Sequence, residues 1–173
     1  MNQNSLDDAV VIALGGNLPS LHGGPRETLA SALRCLPGEG LEPVSISGWW
    51  RSTAWPDSDA PEYINAVALV ETALGPAEVL AALHRIEDRH GRIRSALNAP
   101  RTLDLDLIAH GRAVWPGPGL VLPHPRAAER LFVMGPLAEI APDWHHPVTG
   151  RTARELAAEA GVGRDSRPLS PAA

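Results

Sequence analysis

The chain contains no lysine; all 15 basic residues are arginines. That excludes a P-loop, whose lysine reaches the terminal phosphates of a nucleotide, and it excludes Schiff-base chemistry. Any phosphate here must be held by guanidinium groups, whose planar fork of donors suits it. The single cysteine, Cys35, cannot close an internal disulfide, which points to a reducing cytoplasm. No apolar run approaches the roughly 20 residues that span a bilayer. Met1 to Asp8 is polar and acidic, unlike a secretory signal, so the expected location is cytoplasmic, with no membrane partner. The net charge of −5 lacks the basic footprint of a general nucleic-acid binder.

What is present fits one domain: 173 residues at ordinary globular composition suffice for a real core. Val10 to Leu14 reads as a buried strand ending in a Gly15-Gly16-Asn17 turn. Pro25 opens a helical pattern with Leu29, Leu33 and Leu36 on one face, and Pro37-Gly38 ends it. Residues 44 to 50 alternate as one strand, and Tyr63 to Glu71 is a second, strongly apolar one. Gly75-Pro76 starts a helix through Val79, Leu83 and Ile86 that Gly91 ends. Residues 92–100 read as an exposed loop, and Thr102 to Ala109 as a further strand. A helix is expected from Arg126 to Leu131 or beyond, and another from Thr152 to Ala160.

The order strand, helix, strand, strand, helix, strand matches a ferredoxin-like βαββαβ core of α+β class, with additional helices after it. The expected organisation is a flexible stretch at residues 1–9, a single domain over 10–160 and a mobile tail over 161–173 that has little to pack.

The sharpest local signal is Arg101-Thr-Leu-Asp-Leu-Asp-Leu. On a strand, Asp104 and Asp106 share one face while Leu103, Leu105 and Leu107 share the other. Their Cα atoms lie roughly 6–7 Å apart, a spacing at which two carboxylates can hold one Mg²⁺ or bridge two. Aspartate suits strands poorly and like charges on one face repel, so either a metal or a water-washed face must offset that cost. Arg92, Arg94 and Arg101 can converge on the same acidic face. Anion, divalent cation and arginine clamp are the parts that phosphoryl-type transfer needs. His124, between Pro123 and Pro125, could donate to a phosphate or be a surface histidine. His145-His146 is a poor zinc pair, since adjacent histidines point apart and no cysteine cluster accompanies them. Trp50, Trp55 and Tyr63 crowd around Asn65, as a flat heteroaromatic ligand would want, although core packing explains each of them singly.

Several motifs in order carry a resemblance over residues 10 to 158: Ala13-Leu-Gly-Gly-Asn-Leu, Arg51-Ser-Thr, Tyr63-Ile-Asn-Ala-Val, Pro100-Arg-Thr-Leu-Asp-Leu-Asp-Leu-Ile, Val121-Leu-Pro-His-Pro-Arg and Glu129-Arg-Leu-Phe-Val. Together they resemble the 6-hydroxymethyl-7,8-dihydropterin pyrophosphokinases of folate biosynthesis. The resemblance implies transfer of pyrophosphate from ATP to a dihydropterin alcohol, with release of AMP, on a three-layer α/β/α sandwich. It implies that Asp104 and Asp106 bind two Mg²⁺ ions and that Arg92 and Arg101 hold phosphate. His124 and Arg94 also fall on the nucleotide side, and His84, Glu87 and Leu107 at the adenosine pocket. It implies pterin contacts from Ser52, Thr53, Trp55, Tyr63, Asn65 and Phe132.

Departures from the pattern are a short Ser95–Ala99 loop without tryptophan, Gly16 in place of serine, and Pro125 after His124. Two other readings stay open on the residues alone: a nucleotide-binding regulatory module and a metal-dependent phosphohydrolase.

Overall fold

The computed structural model describes residues 3–54, 59–92 and 101–169. Eleven elements follow in order: α1 (Gln3–Asp8), β1 (Val10–Gly16), α2 (Pro25–Cys35), β2 (Glu42–Ile46), β3 (Trp50–Ser52), β4 (Tyr63–Glu71), α3 (Pro76–Arg89), β5 (Asp104–His110), α4 (Leu131–Ile140), α5 (Ala153–Glu159) and β6 (Arg167–Pro168). Among the described residues no helix is long and apolar enough to cross a membrane.

All strands join one antiparallel sheet in the order β5-β1-β4-β3-β6, with β2 also paired to β4. Because β1 and β4 are central, their side chains are buried on both faces, and both strands read as near-continuous apolar runs. Alternation then divides them between two cores. Val10, Ile12 and Leu14 face Leu29, Leu33, Val79, Leu83 and Ile86 of α2 and α3. Val11 and Ala13 face Val133, Met134, Leu137 and Leu156 of α4 and α5. The result is the expected ferredoxin-like core in three layers. Each fully buried Leu or Ile contributes about 1.5–3 kcal/mol by leaving water.

Local chemistry sets the helix starts. Pro25 and Pro76 occupy first-turn positions where a missing N–H leaves nothing unsatisfied. Glu78 reaches back to accept from the Gly75 N–H at 2.8 Å. Thr152 and Glu155 form a reciprocal capping box on α5.

Two expectations are corrected. Residues 44 to 50 form two strands, because Ser47 makes its backbone and hydroxyl bonds with Val67 and the Gly48 N–H turns to Glu139 Oε1 at 2.7 Å. The helix placed at Arg126 starts later: Ala127–Glu129 is a single 3₁₀ turn, and α4 runs through Gly135-Pro136. Tertiary packing overrides that breaker pair, since a Cβ at position 135 would lie 2.6 Å from the Trp50 ring.

Near the N-terminus, Asp7 has specific partners. Asp7 is buried, accepts from the His145 backbone N–H and pairs with Arg112. Burial alone would raise its pKa, but these partners more than offset that and hold it below the usual carboxylate range. Residues 161–169 also have partners: Val162 bridges to Arg130, β6 pairs with β3, and the Leu169 N–H donates to Trp49 at 2.7 Å. The composition of that segment is polar, so its backbone pairing left no periodic trace.

Candidate active site

The β4–β1–β5 register fixes the site. Asp104 lies opposite Gly15, Gly15 opposite Asn65, and Asn65 opposite Trp50, so these four share one face in one row. Asp106 sits opposite Ala13 one step along, on the same face. Gly15 contributes no side chain to the row and leaves a floor between carboxylate and amide. A Cβ there would meet Asn65 Oδ1 at 3.3 Å. The Asn65 Nδ2 donates to Ser52 Oγ at 3.0 Å, which fixes the amide's rotation.

A cleft of about 410 Å³ opens above this floor. Its lining runs from Ser52, Thr53 and Asn65 on the β3–β4 side to Asp104 and Asp106 on β5, with Phe132, Arg92, Arg101 and His124 around it and Tyr63 within hydrogen-bonding reach of Arg101. A second hollow of about 350 Å³ continues beyond, lined by Leu80, Leu107, Leu120 and Val121, and it shares Asp106 and His124 with the first.

Each oxygen of Asp104 faces one guanidinium at 2.7 Å: Oδ1 is ion-paired with Arg92, and Oδ2 accepts a hydrogen bond from Arg101. Arg92 is itself held by Glu87, which also accepts the Leu105 N–H at 2.7 Å. Burial, and then the charge of Asp104, push Asp106 up to about 6. An Asp106 carboxyl in that condition gains from any further positive charge beside it. Its hard oxygen donors fit a divalent cation such as Mg²⁺. Among the described residues no third His, Cys, Asp or Glu completes a protein-only cage, so the remaining positions suit phosphate oxygens and water.

His124 is pushed down to about 4, mainly by burial and then by the charges of Arg130 and Arg126. Its Nδ1 accepts from the Arg126 N–H at 3.3 Å, which leaves the ring proton on Nε2. A neutral imidazole therefore stands at the junction of the two hollows as a hydrogen-bond donor.

Most residues singled out from sequence come together here. His84 and Glu87 line neither hollow; Glu87 is fully buried and acts as a brace beneath Arg92. Arg94, Trp55 and the Ser95–Ala99 loop lie outside the described residues. The sequence reading gave no role to Arg126, Glu129 or Arg130, which also line the cleft. Arg126 and Arg130 stand four residues apart about the short 3₁₀ turn, and Arg130 lies 5.6 Å over the Phe132 ring. That i,i+4 arginine spacing was the available signal.

Comparisons with known proteins agree with this geometry. Residues 11–142 match the family described as 7,8-dihydro-6-hydroxymethylpterin-pyrophosphokinase (HPPK). The chain is 41% identical over 150 residues to the 2-amino-4-hydroxy-6-hydroxymethyldihydropteridine pyrophosphokinase of Synechocystis, a match spanning 84% of this chain and 73% of that protein. It is 40% identical to the protein of the same name from Pseudomonas aeruginosa, over 86% of this chain and 90% of that one. The folic acid synthesis protein fol1 of Pneumocystis carinii is 35% identical over 98% of this chain, but the match spans only 22% of that longer protein. The crystal structure of Plasmodium falciparum HPPK-DHPS with pteroate superposes with a TM-score of 0.66 at 12% identity, over 87% of this chain and 42% of that one, and so bears on the fold alone. With the family match covering most of its length, the chain belongs to the 7,8-dihydro-6-hydroxymethylpterin-pyrophosphokinase family.

Proposed function

We propose that this chain transfers pyrophosphate from Mg-ATP to the hydroxymethyl group of 6-hydroxymethyl-7,8-dihydropterin and releases AMP. The observation that carries the reading is the joined pair of hollows with Asp106 and His124 at their junction. In this reading the apolar hollow around Leu80, Leu107 and Val121 takes the nucleoside. The pterin lies over Gly15, its edge paired with Asn65 and its ring against Tyr63 and Phe132. The acceptor oxygen then attacks the β-phosphorus, the bond to the α-phosphate oxygen breaks, and AMP leaves.

Two Mg²⁺ ions are the metal count we propose at Asp104 and Asp106; when bound they neutralise phosphate charge and align donor with acceptor. Arg92, Arg101 and Arg130 hold the oxygens of the transferred group, and the Nε2–H of His124 donates to phosphate. The described residues offer no strong base beside the acceptor, so orientation and charge neutralisation supply most of the rate.

The test is AMP release with ATP, Mg²⁺ and the pterin alcohol, repeated without pterin and with EDTA. AMP that needs both pterin and metal supports the reading. ATP binding without AMP indicates a regulatory module, and phosphate release without pterin a phosphohydrolase. Arg92→Ala and Arg101→Ala are each expected to lower kcat about 100-fold while leaving pterin affinity nearly unchanged. If only pterin affinity changed, both arginines would belong to the other end of the cleft.

A further inference from the structure

We infer that the C-terminal segment Val162–Asp165 forms a wall of the acceptor subsite, with Asp165 a positioning residue for Thr53. This rests on the reading of the Ser52–Asn65–Phe132 end as the pterin end. The segment lies beyond residue 142, where the family match stops, and nothing in the motifs that identified the chain includes it.

Three contacts tie the segment to that end of the cleft. Val162 contributes directly to the lining. It is held there by a pair of backbone bonds, Leu131 N–H to Val162 O and Val162 N–H to Glu129 O, both 2.9 Å. Gly163 has φ +69°, and a Cβ there would lie 2.6 Å from Phe132 Cδ1. Bare backbone thus passes against one edge of the ring whose face carries Arg130. The third contact is from Asp165: its Oδ2 accepts the Thr53 N–H at 2.6 Å. That bond, with a further one to the Thr53 side chain, keeps the carboxylate below its ordinary pKa.

Thr53 needs such a tether. It stands one residue past the end of β3, so strand pairing no longer fixes its backbone. Ser52, just before it, holds the Asn65 amide. A loose Thr53 would let Ser52 and the amide rotate out of the orientation that the pterin edge requires. The tail is itself anchored by β6 on β3 and by Leu169 on Trp49, so Asp165 bridges two ends of one frame.

Asp165 is exposed and touches none of the core, so its removal tests the tether without unfolding the chain. Titration calorimetry would measure pterin binding in the presence of a non-hydrolysable ATP analogue, and binding of that analogue alone. Asp165→Ala is expected to weaken pterin binding about fivefold, with analogue affinity unchanged and Tm only slightly lowered, because one charge-assisted hydrogen bond at an exposed site is lost. Asp165→Asn keeps an acceptor oxygen and should lie closer to wild type. Gly163→Ala should weaken pterin binding at least as much, by displacing the Phe132 ring. Wild-type pterin affinity in both Asp165→Ala and Gly163→Ala, or equal losses for pterin and nucleotide, would overturn the inference. Wild-type enzyme that binds pterin but yields no AMP would sink the transfer reading alone, since the binding contrast among the variants would still stand.

Discussion

Asp106→Asn is expected to lower AMP formation about a thousandfold or more, because an oxygen proposed to bind metal is lost where charge neutralisation is proposed to supply most of the rate. The same change should make the metal-free protein more stable. Burial and Asp104 push the Asp106 carboxyl up to about 6, well above its value in an unfolded chain. A carboxyl raised in this way favours the folded state in acid, and that stability is lost as pH rises from the unfolded pKa through the folded one. At pH 8 the wild-type carboxylate is ionised against its surroundings, and the neutral amide avoids that penalty, about 1–2 kcal/mol after relaxation. Thermal melts in EDTA from pH 4 to pH 8 measure it: the variant's gain over wild type should grow across that window and be largest at pH 8. Full turnover in Asp106→Asn and in Asp104→Asn would remove both residues from the metal site. Equal melting temperatures at pH 8 would show that Asp106 is not strained.

Glu87→Ala should be the most damaging single truncation near the cleft, for a reason that lies beneath it. The resemblance suggests a nucleoside contact for Glu87, whereas the structure buries its side chain completely and joins it to the Leu105 N–H and to Arg92. Truncation leaves a buried backbone donor without its acceptor and releases Arg92 from below. The loss should be about 3 kcal/mol of stability, together with a fall in kcat like that of Arg92→Ala. Glu87→Gln keeps an acceptor for Leu105 but turns an amide toward or away from Arg92, so it should recover most stability and less activity. Urea unfolding and steady-state kinetics on the two variants separate the roles. A direct nucleoside contact predicts instead a raised KM for ATP with ordinary stability in both.

Much of this was legible before any coordinates. The strand–helix order, the common face of Asp104 and Asp106, and the convergence of Arg92 and Arg101 follow from periodicity and from how strands alternate. The residues that escaped did so for identifiable reasons. Arg130 sits at the entry to a helix expected from Arg126 but beginning at Leu131, and the contact that shapes its interior, Gly135 against the Trp50 ring, joins positions 85 apart in the chain. Asp165 acts through a backbone N–H more than 100 residues distant, and no local pattern encodes such a bond. Glu87 looked like part of the helix face near a ligand, and only its burial reveals it as a support.

The row Asp104–Gly15–Asn65 runs straight across three hydrogen-bonded strands. Its length is therefore two interstrand spacings, about 9.5 Å, a quantity set by the peptide hydrogen bond and not by any side chain. The sheet is a ruler laid between the carboxylate read as holding the metal and the amide read as gripping the acceptor. Substitutions at its ends can change the grip, but none can lengthen the ruler. A substrate whose alcohol stood one carbon farther from its ring would have to buckle or leave a hold, which gives this fold a built-in sense of distance.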